Sequence, residues 1–551
     1  MKISRRNFCS LLGTAAAGSV VLKTAGASPT SGKEEGRSTN VIFLMTDQQR
    51  WDALGCNNPL VHTPNLDRLA KRGVNFRQAV CNVPMCMPSR YSMMLGLYPS
   101  QTGVRCNAQM IPNDESLPAL PLPEIFRQAG YQTAGFGKTH WYEALGKERM
   151  QAVDFRPTLR GFEVRACEHD GVHREPGSLS YSESDPNGAL AMYEELSANK
   201  NKYPSNVQFG GVDGPWSFLG WPSHVPAEHH SGAWLTAQCL DFIEHKRDSS
   251  RPLFLYLSLD EPHAPIRPPE KYLAYYKLED IPEMPEPPWK IKEQEPDGHV
   301  GPDAEVSCRK DIYNATYPVW KNLTHEERRK VTLQYWAYCS FVDDLFGQVL
   351  QSLEGKGILD NSLIVFCSDH GDTLGERLFR TSKYNLYDAA VRVPLIFSGS
   401  VIPESRRGEV LDSPASLVDM IPTLLSNAGV KEPMMYPGIN LLDDKKVGNL
   451  GSYAEYHGAG CEGIERAPAV MWRTKEWKLI LYSPVPLRAR SEALLALRGE
   501  LYHLKSDPDE FVNLFDRDEV KDVQMRMTKE MLYHVAMTGS MFPRCATLTV
   551  T

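Results

Sequence analysis

Five apolar runs rich in β-branched residues punctuate the chain: Val41–Met45, Tyr131–Phe136, Leu253–Leu259, Ser362–Cys367 and Val393–Phe397. Each is short and nearly continuous in apolar residues, the pattern of strands buried on both faces. Between them, apolar positions recur at helical spacing. In "HTPNLDRLAKRG", Leu66, Leu69 and Ala70 share a face, Thr63 stands at the cap, Pro64 suits the first turn and Gly73 the stop. "PLPEIFRQAG", "SGAWLTAQCLDFIEHK" and the long stretch from Glu326 to Leu353 predict further helices. Strands and helices in this alternation predict an α/β fold, a mostly parallel sheet sandwiched by helices.

After residue 445 the pattern changes. "PAVMWRTKEWKLILYS" predicts a hairpin, "GELYHLKSDPDEFVNLF" a further strand and turn, and Asp518–Val535 a closing helix. A main domain over residues 38–445 is therefore expected to precede a smaller C-terminal subdomain, residues 446–551, built as an antiparallel sheet with a helix. Two long irregular stretches interrupt the main domain. Residues 200–228 carry the exposed-looking Trp216 and Trp221, and residues 281–306 are rich in Pro and acid. Loops this long inside a domain are binding loops or disordered inserts.

Composition adds little to this picture: 42% hydrophobic and 23% charged residues describe an ordinary globular chain. The N-terminus adds more. Arg5-Arg6 precede the apolar run Leu11–Leu22, which is too short to span a bilayer, and Ala25-Gly26-Ala27 offers a cleavage site. Residues 1–27 thus read as an export signal of the twin-arginine type, implying the twin-arginine export machinery as a partner and a periplasmic or extracellular destination. No other stretch is apolar enough to span a membrane, so no stable insertion is expected once the signal is removed. The formal charge of −8 becomes more negative when Lys2, Arg5, Arg6 and Lys23 leave with the signal. Such a chain gains nothing from general attraction to nucleic acid. The 12 cysteines show no CxxC pair and no Cys/His array at zinc spacing.

In open α/β sheets, ligands bind beyond the carboxyl ends of the strands. Here those ends read Thr46-Asp47-Gln48-Gln49, Gly137-Lys138-Thr139-His140, Asp260-Glu261-Pro262-His263 and Ser368-Asp369-His370-Gly371-Asp372. One such end alone is a solvated turn; four on one sheet edge form a constellation. Asp47, Gln48 and Asp369 offer hard oxygen donors with His370 as an adjacent ligand, a set suited to calcium or magnesium. Lys138, His140 and His263 remain as cations or proton carriers around an anionic substrate.

The stretch "CNVPMCMPSRYSMMLG" belongs with these ends. Cys86 opens a helical run through Leu95, with Pro88 tolerated in its first turn, and a helix start favours a nearby anion. A buried structural cysteine is the alternative reading of Cys86.

"CMPSRYSMMLG" resembles the signature of the type I, formylglycine-dependent sulfatases of the alkaline phosphatase-like superfamily. "VIFLMTDQQRWDALGC", "TPNLDRLAKRGVNF", "GYQTAGFGKTHW", "EPHAPIRPPEKY", "LIVFCSDHGDTLGE", "KYNLYDAAVRVPLIF" and "ELYHLKSDPDEFVNL" resemble sulfatase blocks in family order, from about residue 39 to 517. The resemblance implies that a maturation enzyme oxidises Cys86 to formylglycine and that Asp47, Gln48, Asp369 and His370, with position 86, hold one calcium ion. It implies that Arg90 steadies the hydroxyls of position 86, and that Lys138 and Lys383 bind the sulfate. His263 would protonate the leaving alcohol, and His140 would deprotonate the second hydroxyl of the hydrated aldehyde. Gln48 and His370 depart from the commonest pattern, in which Asp and Asn stand there, but each keeps a donor atom.

A sulfated saccharide is the substrate this resemblance implies. Trp141, Tyr142, Trp216 and Trp221 are candidates to stack on sugar rings, and Arg105, Asn107, His457 and Arg473 to bind hydroxyls or further sulfates; packing or surface roles are the alternative for each. Two other functions share the motifs: a phosphonate monoester or phosphodiester hydrolase of the same superfamily, and a non-catalytic binder of sulfated glycans.

Overall fold

A computed structural model describes residues 38–551 except 108, 112, 142–158, 168–178, 181–189, 193, 196, 199–218, 287–319, 321, 377–382, 444–449, 458–467, 483–497, 540–547 and 550–551. The export-signal reading of residues 1–27, and the candidates Tyr142 and Trp216, lie outside the described residues.

Among the described residues the main sheet has nine strands, in spatial order Glu409–Leu411, Val74–Phe76, Leu395–Gly399, Ser362–Ser368, Asn40–Thr46, Leu253–Ser258, Gln132–Gly137, Val164–Cys167 and Leu179–Ser180. All five strands predicted from apolar runs are present. Neighbours pair in parallel except at Leu395–Gly399, which is antiparallel to both strands beside it. The continuous hydrophobicity of the central strands has a direct cause. Val41, Phe43 and Met45 face one core and Ile42 and Leu44 the other, so alternate side chains are all buried.

Helices cover both faces. Pro64–Lys71, Ser231–Asp241 and the 31-residue His325–Gly355 pack on one side, through Leu66, Leu235 and Phe346 among others. Cys86–Leu95, Leu122–Gln128 and Met420–Ala428 pack on the other, through Met93, Phe126 and Leu424. Thr63 holds the cap position of its helix, but its side chain does not cap the helix. Its hydroxyl instead accepts from the Gly55 amide (2.7 Å), joining the helix to the preceding loop. Trp221, expected to be exposed, is buried at 8% exposure.

The C-terminal sheet, Ser452–Tyr456, Ala469–Arg473, Trp477–Tyr482 and Arg498–His503, is antiparallel throughout. One face (Ala454, Met471, Ile480) joins the core of the main sheet, and the other (Trp472, Leu479, Leu501) packs on Met527 and Met531 of the helix Lys521–Gly539. A buried ionic cluster fixes the first junction. Asp388 binds Arg473 through two bonds (2.8 and 2.7 Å) and Lys478 at 2.5 Å, while Glu510 binds Lys478 (2.6 Å) and the Asp388 amide (2.7 Å). The segment that follows Lys383 is thereby held against the C-terminal sheet.

Candidate active site

Three adjacent parallel strands, Ser362–Ser368, Asn40–Thr46 and Leu253–Ser258, with Gln132–Gly137 beside them, end at one edge and deliver Asp369, Asp47, Asp260 and Lys138 to one place. Their register makes this convergence unavoidable: Thr46 lies beside Ser368, Met45 beside Ser258, and Gly137 beside Ser258. Gly137 adopts φ 87°, and a Cβ there would collide with the Ser258 carbonyl oxygen, so only glycine lets the chain turn into Lys138. Gln48 (φ 65°), His140 (φ 56°) and Tyr384 (φ 77°) are non-glycine residues in the left-handed region, strain of the kind that clusters at functional sites.

The helix Cys86–Leu95 is buried along its whole length and points its first residue into this edge. The Asn107 side chain accepts from the Met87 amide (3.0 Å), and Ser89 donates to the Asp369 carbonyl (2.6 Å), which fixes the helix start over the strand end. The ligand atoms of Asp47, Cys86, Asp369 and His370 all lie within 4.8 Å of one another, and all four residues are buried.

Arg90 organises this group. Its guanidinium donates to Asp369 Oδ2 (2.7 Å) and Asp47 Oδ2 (2.9 Å), and also to the Lys138 carbonyl (2.5 Å) and Ser258 Oγ (3.0 Å). Through these partners Arg90 holds the outer oxygens of both carboxylates, beside position 86. The inner oxygens turn the other way. Asp47 Oδ1 and Asp369 Oδ1 each lie 3.8 Å from His370 Nε2, and Asp47 Oδ1 lies 3.7 Å from Cys86 Sγ.

The electrostatics follow from burial and from these contacts. Burial opposes the charge on Asp47, yet Lys138, His263, Arg90 and Lys383 together hold its carboxyl well below the usual range. Burial, reinforced by Lys383, lowers the His370 value and favours the neutral ring. His370 Nδ1 meets the Gly371 carbonyl at 2.9 Å, which assigns the proton to Nδ1 and leaves the Nε2 lone pair facing the carboxylates. Gln48 gives its amide nitrogen to Asp372, turning Oε1 toward Lys383 at 3.1 Å. Two carboxylate oxygens and an imidazole nitrogen in one buried cluster, beside position 86, fit a hard divalent cation.

Two lysines and a histidine complete the site. Lys383 Nζ lies 2.7 Å from Cys86 Sγ and 3.1 Å from His263 Nε2. Lys138 Nζ lies 2.8 Å from Asp47 Oδ2 and 2.6 Å from Asp260 Oδ1. His263 is 22% exposed, the most open of the group, and its Nδ1 meets the Ala264 carbonyl at 2.6 Å. Burial and Lys383 oppose its charging, but Asp47 and a hydrogen bond with Cys86 outweigh them and raise its value. His140 is buried on the same turn as Lys138.

The substrate candidates divide. Asn107 braces the Cys86 helix, and in the same turn Arg105 Nε is buried with no hydrogen-bond partner among the described residues. His457 is half-buried against Glu455 (2.9 Å). Two expectations are corrected. Trp141 is 1% exposed and stacks on Phe162, a core residue with no face for a sugar. Arg473 is buried with its guanidinium spent on Asp388. Sequence reasoning assigned no role to Asp260 or Asp372, although both stand in the strand-end segments it singled out.

This architecture and site define a hydrolase of the alkaline phosphatase-like superfamily, and the comparisons narrow it. Residues 39–430 match the family described as Sulfatase, and residues 375–536 match N-sulphoglucosamine sulphohydrolase, C-terminal. The chain belongs to the sulfatase family and is a sulfatase enzyme. It is 29% identical to an arylsulfatase of Clostridium perfringens, over 88% of this chain and 91% of that one. It is 24% identical to the N-acetylglucosamine-6-O-sulfatase of Bacteroides thetaiotaomicron, over 90% and 86%. Its fold is similar to that of a phosphonate monoester hydrolase of Agrobacterium radiobacter (TM-score 0.66, 20% identity, 91% and 96% covered). It is likewise similar to a protein solved with its substrate D-glucosamine-2-N,6-O-disulfate (TM-score 0.64, 21% identity, 92% and 99% covered).

Proposed function

We propose that this sulfatase removes O-sulfate from a sulfated carbohydrate, using a formylglycine made from Cys86 by a maturation enzyme and one Ca2+ held by Asp47, Gln48, Asp369 and His370. The observation that carries this reading is the placement of Cys86 Sγ, 2.7 Å from Lys383 Nζ and 3.1 Å from His370 Nε2, inside a buried cluster of carboxylates. A thiol with only a packing role has no use for such neighbours. When bound, the cation supplies positive charge for the nonbridging sulfate oxygens, and the modified position 86 supplies the attacking oxygen.

The chain's own residues do the rest. Lys383 and Lys138 flank position 86 and Asp47, where their ammonium groups neutralise charge that moves onto the sulfate oxygens as the S–O bond breaks. His263 is the most solvent-open of the group, with Nε2 turned into the site beside Lys383, and in this reading it passes a proton to the departing alcohol oxygen. His140 takes a proton at position 86 to close the cycle. Arg90 fixes both carboxylates, so the site reorganises little during the reaction.

The carbohydrate reading is supported by relatives, among them the N-acetylglucosamine-6-O-sulfatase above and a 26% identical ulvan-active sulfatase of Formosa agariphila. The unpaired Arg105 Nε, in the turn that braces the Cys86 helix, suits an additional anionic group on the sugar. Among the described residues, no helix is long and apolar enough to cross a membrane. Export by the twin-arginine route, with Cys86 converted before folding, completes the proposal.

One experiment tests it: steady-state turnover of formylglycine-bearing protein on 4-nitrophenyl sulfate, phenyl phosphonate esters and a panel of sulfated mono- and disaccharides. Preference for a sulfated saccharide is expected. Faster turnover of the phosphonate ester would overturn the reading.

A further inference from the structure

We propose that Asp260 is a positioning residue that aims the Lys138 ammonium at the reacting sulfate and couples it to the turn carrying His263. The proposal rests on the role given to Lys138 above.

The Lys138 main chain is pinned. Its amide donates to the Ser258 carbonyl (2.9 Å), and its carbonyl accepts from Arg90 (2.5 Å) and from the Tyr256 hydroxyl (2.9 Å). Its side chain is another matter: a lysine is a point charge on a flexible four-carbon stem, and it stays aimed only where an anion holds it. Two anions do so here, Asp47 Oδ2 at 2.8 Å and Asp260 Oδ1 at 2.6 Å.

These two anions are not equivalent. Asp47 is shared: it also binds Arg90, and its other oxygen faces the cluster that fits a divalent cation. A cation in that cluster would draw, through the inner oxygen, on the same carboxylate charge that holds Lys138. Asp260 belongs to no such group among the described residues, so its hold on the ammonium does not depend on the cluster's contents. Asp260 also begins the turn to the acid, because its carbonyl accepts from the His263 amide at 2.9 Å. Its main chain is tied in turn to the metal-side strand, since Leu259 donates to the Met45 carbonyl (2.9 Å). One residue therefore sets both the direction of Lys138 and the start of the His263 turn.

Charge and position give opposite expectations, which makes the proposal decidable. Were Asp260 only a neutralising neighbour, its removal would leave the site more positive and would improve anion binding. As an aiming residue it matters most in the transition state, where a displacement of about 1 Å costs on the order of 100-fold in rate.

The test is a double-mutant cycle on the mature full-length protein, with 4-nitrophenyl sulfate as probe. Asp260→Ala is expected to lower kcat about 10- to 100-fold while KM stays within about 3-fold, and in a Lys138→Ala background the same change should cost less than about 3-fold. Asp260→Asn, which keeps an acceptor oxygen, should lose less, and it carries the cycle if the alanine variant does not fold. Equal losses in both backgrounds, or a fall in KM with kcat unchanged, overturn the proposal. A Lys138→Ala protein with undiminished kcat refutes the role of Lys138 itself, and this proposal with it.

Discussion

Lys383 holds its ammonium 2.7 Å from the sulfur of Cys86, although the two residues lie 297 positions apart in the chain. Burial works against this ammonium, and Cys86 followed by Tyr384 and Asp47 outweigh it and raise its value. The contact depends on the segment after Lys383 being clamped to the C-terminal sheet. Lys383→Ala should lower kcat/KM about 100- to 1,000-fold, the cost of deleting one preorganised charge in a water-poor site. The unfolding midpoint should hardly move, because the residue is bound to the site and not to the core. A loss of activity explained by a large fall in that midpoint would remove Lys383 from the chemistry.

The cluster of Asp47, Asp369 and His370 leads to a metal prediction with a readout apart from activity. Two inner carboxylate oxygens and a neutral imidazole face one another, so a cation bound there stabilises the folded chain by mass action. Thermal unfolding with excess Ca2+ should gain about 2.7 kcal/mol when free ion stands 100-fold above its dissociation constant. Asp369→Asn should abolish the gain, and chelation should abolish turnover of the parent protein. An unchanged midpoint across a calcium titration is the result that sinks the site.

Much of this was legible in the sequence because strand ends are short-range objects. A buried strand reads as a continuous apolar run, and the polar residue that breaks the run must stand at the sheet edge; this rule found Asp47, Lys138, His263 and Asp369. It carried no information on side-chain direction. Trp141 follows directly on the Lys-x-His turn, yet its ring points back to stack on Phe162, with Arg160 over it at 5.8 Å. Arg473 reads as a cation in a hairpin, but its partner Asp388 is 85 residues away and no local pattern announces it. Trp141→Ala should therefore act as a core deletion, costing about 3–5 kcal/mol in urea unfolding. If Trp141 instead contacted sugar, KM for saccharides would rise at unchanged stability.

The Asp388 junction should show itself as acid sensitivity. Burial pushes this carboxyl up, but Arg473, Lys478 and Arg392 overcome it and hold the group well below its ordinary value. A carboxyl depressed in the folded state contributes stability that is complete above its unfolded value, about 3.9, and is lost as pH falls from there toward the folded value. Asp388→Asn should cost about 3–5 kcal/mol near neutrality, since it takes the carboxylate from the buried Arg473 guanidinium. Below about pH 4 the gap between variant and parent should narrow. Urea midpoints measured across that range decide the matter: a gap constant with pH would show that Asp388 titrates alike in both states.

Cys86→Ser separates the proposed chemistry from simple nucleophilic catalysis. Serine fits the same helix start, where Lys383 and His370 already crowd the side-chain tip, so folding and the first attack on sulfur should survive. What it lacks is a second oxygen. A hydrated aldehyde can expel sulfate by collapsing back to the carbonyl, whereas a seryl sulfate must wait for water to reach a sulfur walled by anionic oxygens. The variant should therefore release at most one equivalent of alcohol per chain and then stop, with the sulfate retained at position 86 in the intact-mass spectrum. Steady multiple turnover by Cys86→Ser, at a rate near that of the parent, would show that the second oxygen is dispensable and that Cys86 is needed for something other than its oxidised form.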